Sequence, residues 1–321
     1  MPERAWIRSL RPGDRVDETY ALRSRDVRQR RGGGDYLAMT LADRTGQVTA
    51  LAWENVERFV RCCRVGDVVR VVGQVQRYNQ RLQIVVREME PVPPESVDDS
   101  LYVRSAAESP EVLWRRLERT IEEVPDEHLR QLLFRVLAEP EVASRFRVAP
   151  AARSMHHAYR SGLLEHTLSM TGAARLLARH YRLDESLVVA GCILHDLGKI
   201  WELDLGPSIE YTDDGRLVGH LVMETLHLDR VMREIPSFPP ERRRQLLHIL
   251  VSHHGEYAYG SPRRPKTPEA LLVHMVDNLD AKLAGMMEAI EAGGDTGEAW
   301  TAYSPMLERY VYRRRPGDGE G

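Results

Sequence analysis

The chain has 321 residues, 42% hydrophobic and 29% charged, the balance of a soluble globular protein with enough length for two domains. Its formal net charge is −3, so the whole molecule advertises no polyanion partner, yet residues 1–90 sum to +5 and the rest to −8. With no apolar stretch near the roughly 18 residues of a membrane span, no signal-peptide start and only three cysteines (Cys62, Cys63, Cys192), it reads as neither a membrane protein nor a secreted disulfide scaffold. A reduced, cytoplasmic setting is expected.

From Val16 to Val92 the pattern predicts strands. Tyr36–Leu41 and Gln47–Trp53 alternate on either side of a turn at Asp43-Arg44-Thr45-Gly46. A short helical piece, Glu54 to Cys63, leads to two further strands, Val68–Val75 and Leu82–Val86, around a polar turn at Asn79-Gln80. A single helix between the third and fourth strands is the order of a small Greek-key barrel of the OB type; a small sandwich is the alternative. The stretches Leu41-Ala42-Asp43-Arg44-Thr45-Gly46, Val65-Gly66-Asp67-Val68-Val69-Arg70-Val71 and Gly73-Gln74-Val75-Gln76-Arg77-Tyr78, with Gln83-Ile84, resemble nucleic-acid-binding OB-fold domains. Such barrels hold single strands by stacking and by basic side chains along one face. Tyr36, Trp53 and Tyr78 are candidate platforms, and Arg28, Arg30, Arg31, Arg77 and Arg81 are candidate phosphate partners. For each aromatic the plain alternative is barrel core or ordinary surface.

Pro91–Pro94 and Pro110 bracket a polar stretch that reads as a linker, dividing the chain into 1–92, a linker at 93–110, and 111–321. Ser109-Pro110 reads as a cap followed by proline at the first helical position. Val112, Leu113, Leu117 and Ile121 then recur at helical spacing, and a second helix is expected from Asp126 to Leu137. The signal stays helical to Tyr310, apart from a hairpin pattern at Ser208–Val218 and a proline-rich loop at Gly255–Pro268. Leu163, Leu164, Leu176, Ile193, Leu194, Leu246, Leu247, Leu271 and Leu272 are expected in the core.

Eleven of the 12 histidines lie after residue 150. His166 opens one expected helix, His195-Asp196 closes the next, His220 starts another, His253-His254 end a fourth, and Asp277 lies within the last, Pro268 to Ala292. Neutral imidazoles and carboxylates converging from separate helices make a transition-metal site, and a helical core is where such sites are built. Asp280 competes with Asp277, which follows apolar Met275-Val276 and lies three residues after His274. Lys199 stands out because only three of the 45 basic residues are lysine; a compact ammonium beside His-Asp suits a role that arginine would not fill. His128, His180, His227, His248 and His274 read as structural or exposed.

The order His, His-Asp, His, His-His, Asp resembles the HD-domain phosphohydrolases. More closely, His156-His157-Ala158-Tyr159-Arg160-Ser161-Gly162-Leu163, Glu165-His166-Thr167, Ile193-Leu194-His195-Asp196-Leu197-Gly198-Lys199, Ser252-His253-His254-Gly255 and Asp277-Asn278-Leu279-Asp280-Ala281-Lys282 resemble the YhaM-type 3′→5′ exoribonucleases. That family also places an OB domain before its HD domain. The resemblance therefore implies a multidomain fold, a small all-β OB-type barrel followed by an all-α HD domain. It implies that His166, His195, Asp196 and Asp277 hold one metal. Asp196 would bridge to a second, held by His220 and one of His253 or His254. Lys199 and Arg160 would neutralise phosphate oxygens, and His156 and His157 would touch substrate or a further ion. The cofactors implied are two divalent transition-metal ions, manganese foremost, with iron, cobalt, nickel or zinc compatible with the same ligands. The partner implied is single-stranded RNA, single-stranded DNA remaining open, and oligomeric state is not readable. Two rivals stand beside this: hydrolysis of a small nucleotide or cyclic dinucleotide, and nucleic-acid binding without turnover.

Overall fold

The computed structural model describes residues 4–30, 32–79, 81–153, 157–292, 299–304 and 307–313. The chain divides into two compact units, one of residues 1–105 with 205–210, the other of residues 106–204 with 211–321.

In the first unit five strands close a barrel: β1 (Arg15–Gln29), β2 (Asp35–Asp43), β3 (Gly46–Ala52), β4 (Val68–Tyr78) and β5 (Arg81–Pro91), with helix α1 (Val56–Cys62) between β3 and β4. Their order around the barrel is β1-β2-β3-β5-β4, all neighbours antiparallel except β3 with β5. Closure removes the free edges that an open sheet would present. Alternation places Leu37, Met39, Leu41, Val48, Ala50, Val69, Val71 and Ile84 inside, packed with Tyr20 and Phe59. The turn at Asp43–Gly46 forms because the buried Asp43 carboxylate is fully used: Ile7 N and Thr45 N each donate to it at 2.7 Å, and Thr45 Oγ1 donates at 2.5 Å. The stretch expected as a linker from 93 is built onto the barrel as far as Val103. Tyr102 packs on Ala21 and Val68, and its hydroxyl lies 2.7 Å from Thr19 Oγ1.

The second unit is helical: α2 (Pro110–Glu122), α3 (Glu127–Leu137), α4 (Pro140–Phe146), α5 (Gly162–Tyr181), α6 (Glu185–Leu194), α7 (Lys199–Glu202), α8 (Asp213–Leu217), α9 (His220–Glu234), α10 (Pro240–Leu250) and α11 (Pro268–Ala292). Ser109, Asp126 and Asp184 cap α2, α3 and α6, each side chain accepting from the backbone N–H three residues on. Arg242 ties two of these caps together, bonding Asp126 at 3.0 Å and Asp184 at 2.5 Å. Helix α6 is apolar on every side because it is buried on every side, packed among α3, α5, α10 and α11. Each large aliphatic side chain taken out of water there contributes about 1.5–3 kcal/mol. That central position is why its C-terminal end, His195-Asp196, can be reached from several helices.

Three expectations fail here, the first being helix as far as Tyr310: beyond α11 the described residues pair as antiparallel bridges, Trp300 with Tyr312 and Ser304 with Arg309. The hairpin closes earlier than its sequence pattern suggests, between β6 (Leu203–Leu205) and β7 (Ile209–Tyr211). Thr212 Oγ1 then accepts from Gly215 N at 2.9 Å and caps Asp213–Leu217 as the short helix α8. Leu176 and Leu271, expected in the core, are 69% and 47% exposed. Both helices carry more apolar positions than the core can take: on α11, Leu271, Met275, Leu279, Leu283 and Met287 all face outward. No described helix is long and apolar enough to cross a membrane.

Candidate metal centre

Five imidazoles and two carboxylates meet around the end of α6. His166 lies on the buried stripe of α5 with Leu163, Met170 and Ala174. His195 ends α6, and Asp196 follows it. His220 is the first residue of α9, whose inner face continues through Glu224, Leu228 and Met232 at helical spacing. His253 and His254 lie in the turn after α10, and Asp277 comes from α11. Gly198 permits the approach of α9. A Cβ there would lie 2.3 Å from the His220 carbonyl oxygen, so only glycine leaves room for that helix start beside the His-Asp turn. Gly162 plays the same part at α5, since a Cβ there would sit 2.0 Å from the His157 carbonyl oxygen.

Each ring has an acceptor on its Nδ1 side. His195 Nδ1 faces the Cys192 carbonyl at 2.9 Å, His253 the Leu250 carbonyl at 2.9 Å and His254 the Tyr259 carbonyl at 3.0 Å. His220 Nδ1 faces Glu202 at 2.9 Å and His166 Nδ1 faces Asp280 at 2.7 Å. An acceptor at Nδ1 keeps the proton of a neutral ring there and leaves the Nε2 lone pair for a cation. All five Nε2 atoms turn inward. His166 Nε2 and His195 Nε2 approach to 3.3 Å, and His220 Nε2 and His254 Nε2 to 3.2 Å.

The donor atoms form two groups, each lying within 4.8 Å: His166, His195 and Asp277, and Asp196, His220, His253 and His254. Asp196 faces both. Its Oδ2 is 3.2 Å from His195 Nε2 and 3.9 Å from His166 Nε2, while its Oδ1 is 3.6 Å from both His220 Nε2 and His253 Nε2. Among the described residues the buried Asp196 Oδ1 and His253 Nε2 have no hydrogen-bond partner. Buried orphan acceptors are costly, and a divalent cation satisfies them. The residues present fit such ions: mixed imidazole and carboxylate donors, inward lone pairs and two unpaired buried atoms.

Electrostatics agree with this. Burial would raise the Asp196 carboxyl, but the Lys199 ammonium, 2.6 Å from Oδ2, and His195 outweigh burial and hold it well below the usual carboxylate range. Burial pushes His253 down to about 4, so that ring stays neutral and ready to ligate. Burial also pulls on His166, but hydrogen bonds with Asp277 and Asp280 more than offset it and take that ring up to about 9.

A family model described as an HD domain matches residues 163–282, and one described as an OB-fold nucleic acid binding domain matches residues 21–92. The chain is 32% identical over 281 residues to the 3′-5′ exoribonuclease YhaM of Bacillus subtilis, covering 87% of this chain and 88% of that one. The chain belongs to the YhaM family. The YhaM of Bacillus velezensis is 31% identical, covering 87% of this chain and 88% of its own, and that of Shouchella clausii is 32% identical, covering 89% of each.

In this YhaM-family chain the barrel gathers part of the expected strand-binding set. Tyr36 and Trp53 stack, with ring centroids 4.8 Å apart and planes 26° apart. The Arg30 guanidinium lies 5.1 Å from the Trp53 ring centroid and also donates to the Trp53 carbonyl. Tyr78, Arg77 and Arg81 stand exposed where β4 turns into β5. Arg28 pairs with Asp26 at 3.4 Å. Arg31 and His156 lie outside the described residues. In the second unit His157 is brought beside His166, its Nε2 3.1 Å from Asp280. Arg160 is exposed, and its backbone carbonyl accepts from Ala106 N. Of the two acids open on α11, Asp277 joins the inward group and Asp280 takes the far side of His166.

One histidine read as structural or exposed proves structural, and two acids were passed over. His274 is buried and its Nδ1 donates to the His253 carbonyl at 2.7 Å, fixing the His253-His254 turn. Glu202 backs His220 from 18 positions away, a separation that leaves no local signal. Glu224 is fully buried, accepts from Gly198 N at 3.1 Å, and is pushed well above the usual range by burial and by Asp196. An acid four residues after His220, on the face that continues to Leu228, was a signal that could have been read.

Proposed function

We propose that the chain is a divalent-metal-dependent 3′→5′ exoribonuclease that releases mononucleotides from single-stranded RNA through a two-ion centre. The observation that carries this is Asp196, buried and turned so that one oxygen faces each of two imidazole groups. His166, His195 and Asp277 would hold one ion; His220, His253 and His254 would hold the other. Such a pair supplies a strong nucleophile at neutral pH and neutralises charge on the phosphoryl oxygens. The chain's own residues do the rest. Asp196 spans the groups, Lys199 holds a compact positive charge against it, and the Nδ1 acceptors fix every ring. The family's curated members are named for RNA, which favours RNA over DNA as substrate. Manganese suits these ligands, as do iron, cobalt, nickel and zinc. A cytoplasmic location belongs to the same proposal.

The barrel's part is to hold the strand. Tyr36 and Trp53 form a stacked pair with the Arg30 guanidinium over the Trp53 ring, aromatic and cationic groups of the kind that bind single strands without reading sequence. Tethering that surface to the nuclease unit raises the local concentration of substrate.

Purified protein with Mn²⁺ and 5′-labelled single-stranded RNA is expected to yield a ladder shortening from the 3′ end, with mononucleotides released; a DNA strand of the same sequence sets the sugar preference. Changing Tyr36 and Trp53 together to alanine is expected to raise KM on long strands about 10–100-fold, at about 1–3 kcal/mol per stacked base, and to leave a dinucleotide unaffected. An intact label beside rapid hydrolysis of a cyclic dinucleotide contradicts the nuclease reading. Equal losses on long and short substrates contradict the stacking role.

A further inference from the structure

The five imidazoles are not backed alike. Three donate from Nδ1 to backbone carbonyls, those of Cys192, Leu250 and Tyr259. The other two face carboxylates: His166 has Asp280 at 2.7 Å, and His220 has both Glu202 oxygens, at 2.9 and 3.0 Å. One carboxylate-backed ring falls in each group of donors.

Both carboxylates are themselves held. Asp280 Oδ1 accepts from Ser169 Oγ at 2.5 Å, and Oδ2 lies 3.1 Å from His157 Nε2. His157 is held in turn by the Tyr159 hydroxyl at 2.8 Å, which donates to Glu165 at 2.5 Å. Glu202 Oε1 also accepts the His220 backbone N–H at 3.1 Å, so one carboxylate fixes the ring and the start of α9. The Nδ1 and Nε2 lone-pair directions of an imidazole diverge. A carboxylate on Nδ1 therefore sits behind the ring and leaves Nε2 clear. It fixes the tautomer and makes the ring a stronger donor than a neutral carbonyl does.

From this arrangement, and resting on the two-ion reading above, we infer that Asp280 and Glu202 are positioning residues, one for each ion, that set the two affinities separately. The competing reading is a third ion held by His157, His166 and Asp280, whose donor atoms also lie within 4.8 Å of one another. That ion would need the Nδ1 lone pair of a ring already ligating through Nε2.

The test uses the full-length protein. Mn²⁺ is titrated into wild type, Asp280→Asn and Glu202→Gln against a chelating indicator, with the electron paramagnetic resonance of bound Mn²⁺ recorded. Wild type is expected to take up two ions with a spin-coupled spectrum. Each variant is expected to bind one ion about 10–100-fold more weakly while the other affinity stays within about 3-fold, and to show the six-line spectrum of a single ion at limiting metal. Metal-free thermal unfolding identifies a variant that fails to fold, in which case the other variant carries the test. Two ions in wild type with unchanged affinities in the variants overturn the positioning role and leave the two-ion reading standing. Fewer than two ions in wild type overturns the two-ion reading itself. A third wild-type ion that Asp280→Asn alone loses makes Asp280 a ligand and overturns the inference.

Discussion

Asp196→Asn is expected to lower turnover of single-stranded RNA by about 10³-fold or more, because it removes the one charge shared by both groups of donors. In the proposed centre, several kcal/mol of transition-state charge stabilisation would depend on ions held there, and each 1.36 kcal/mol is a factor of ten in rate. The same change also strips Lys199 of its counter-charge. Lys199 Nζ lies 2.6 Å from Asp196 Oδ2, and its side chain is only 17% exposed. Breaking a buried pair from one side costs up to about 3–5 kcal/mol. Asp196→Asn should therefore be both inactive and less stable, as read by steady-state turnover and denaturant unfolding. Adding Lys199→Met to it should restore most of the lost stability and none of the activity. Recovery of activity in the double variant would show that the first loss came from the stranded ammonium and not from the ion centre.

Gly198→Ala is the second change with a large expected effect, and its cause is space. Gly198 has an ordinary helical φ of −59°, so alanine suffers no backbone strain. Its Cβ would meet backbone, though, lying 2.3 Å from the His220 carbonyl oxygen and 2.8 Å from His220 C and Cα. Backbone cannot swing aside as a flexible side chain can. The start of α9 must move, and His220 with it, while Gly198 N also donates to Glu224. A displacement near 1 Å in a catalytic group costs about 10²-fold in rate, and overpacking adds about 1–3 kcal/mol of destabilisation. Gly172→Ala is the control. It lies within α5 with nothing inside 4 Å of the built Cβ, so it should raise stability by about 0.5–1 kcal/mol and leave turnover unchanged. Equal behaviour of the two variants in thermal melts would refute the packing argument.

Much of this was legible in the chain, and the reasons are local. Period-two alternation marked β2 and β3, and Asp43-Arg44-Thr45-Gly46 marked the turn between them, because that carboxylate can bond the next backbone donors only in a turn. Helix α11 was bounded by Pro268 and a long periodic run. The candidate metal donors were legible as residue types, the histidines and Asp196 near helix ends and Asp277 within a helix, and the resemblance supplied their grouping. What was not legible is who stands behind them. Asp280 meets His166 across 114 positions and Glu202 meets His220 across 18, and neither spacing has a local signature. The division of Asp196 into one oxygen per group is purely tertiary. Leu176 and Leu271 were misread because apolar character marks a helix face without saying how wide the core beneath it is. Arg160 was carried in by its neighbours in a motif, and exposure alone gives it no partner among these donors.

The count of bound ions tests the central claim most directly. Protein loaded with Mn²⁺, desalted and measured by inductively coupled plasma mass spectrometry should carry two ions per chain, falling below one in Asp196→Asn. A wild-type count of one or none, in protein that still shortens RNA, would contradict the two-ion centre.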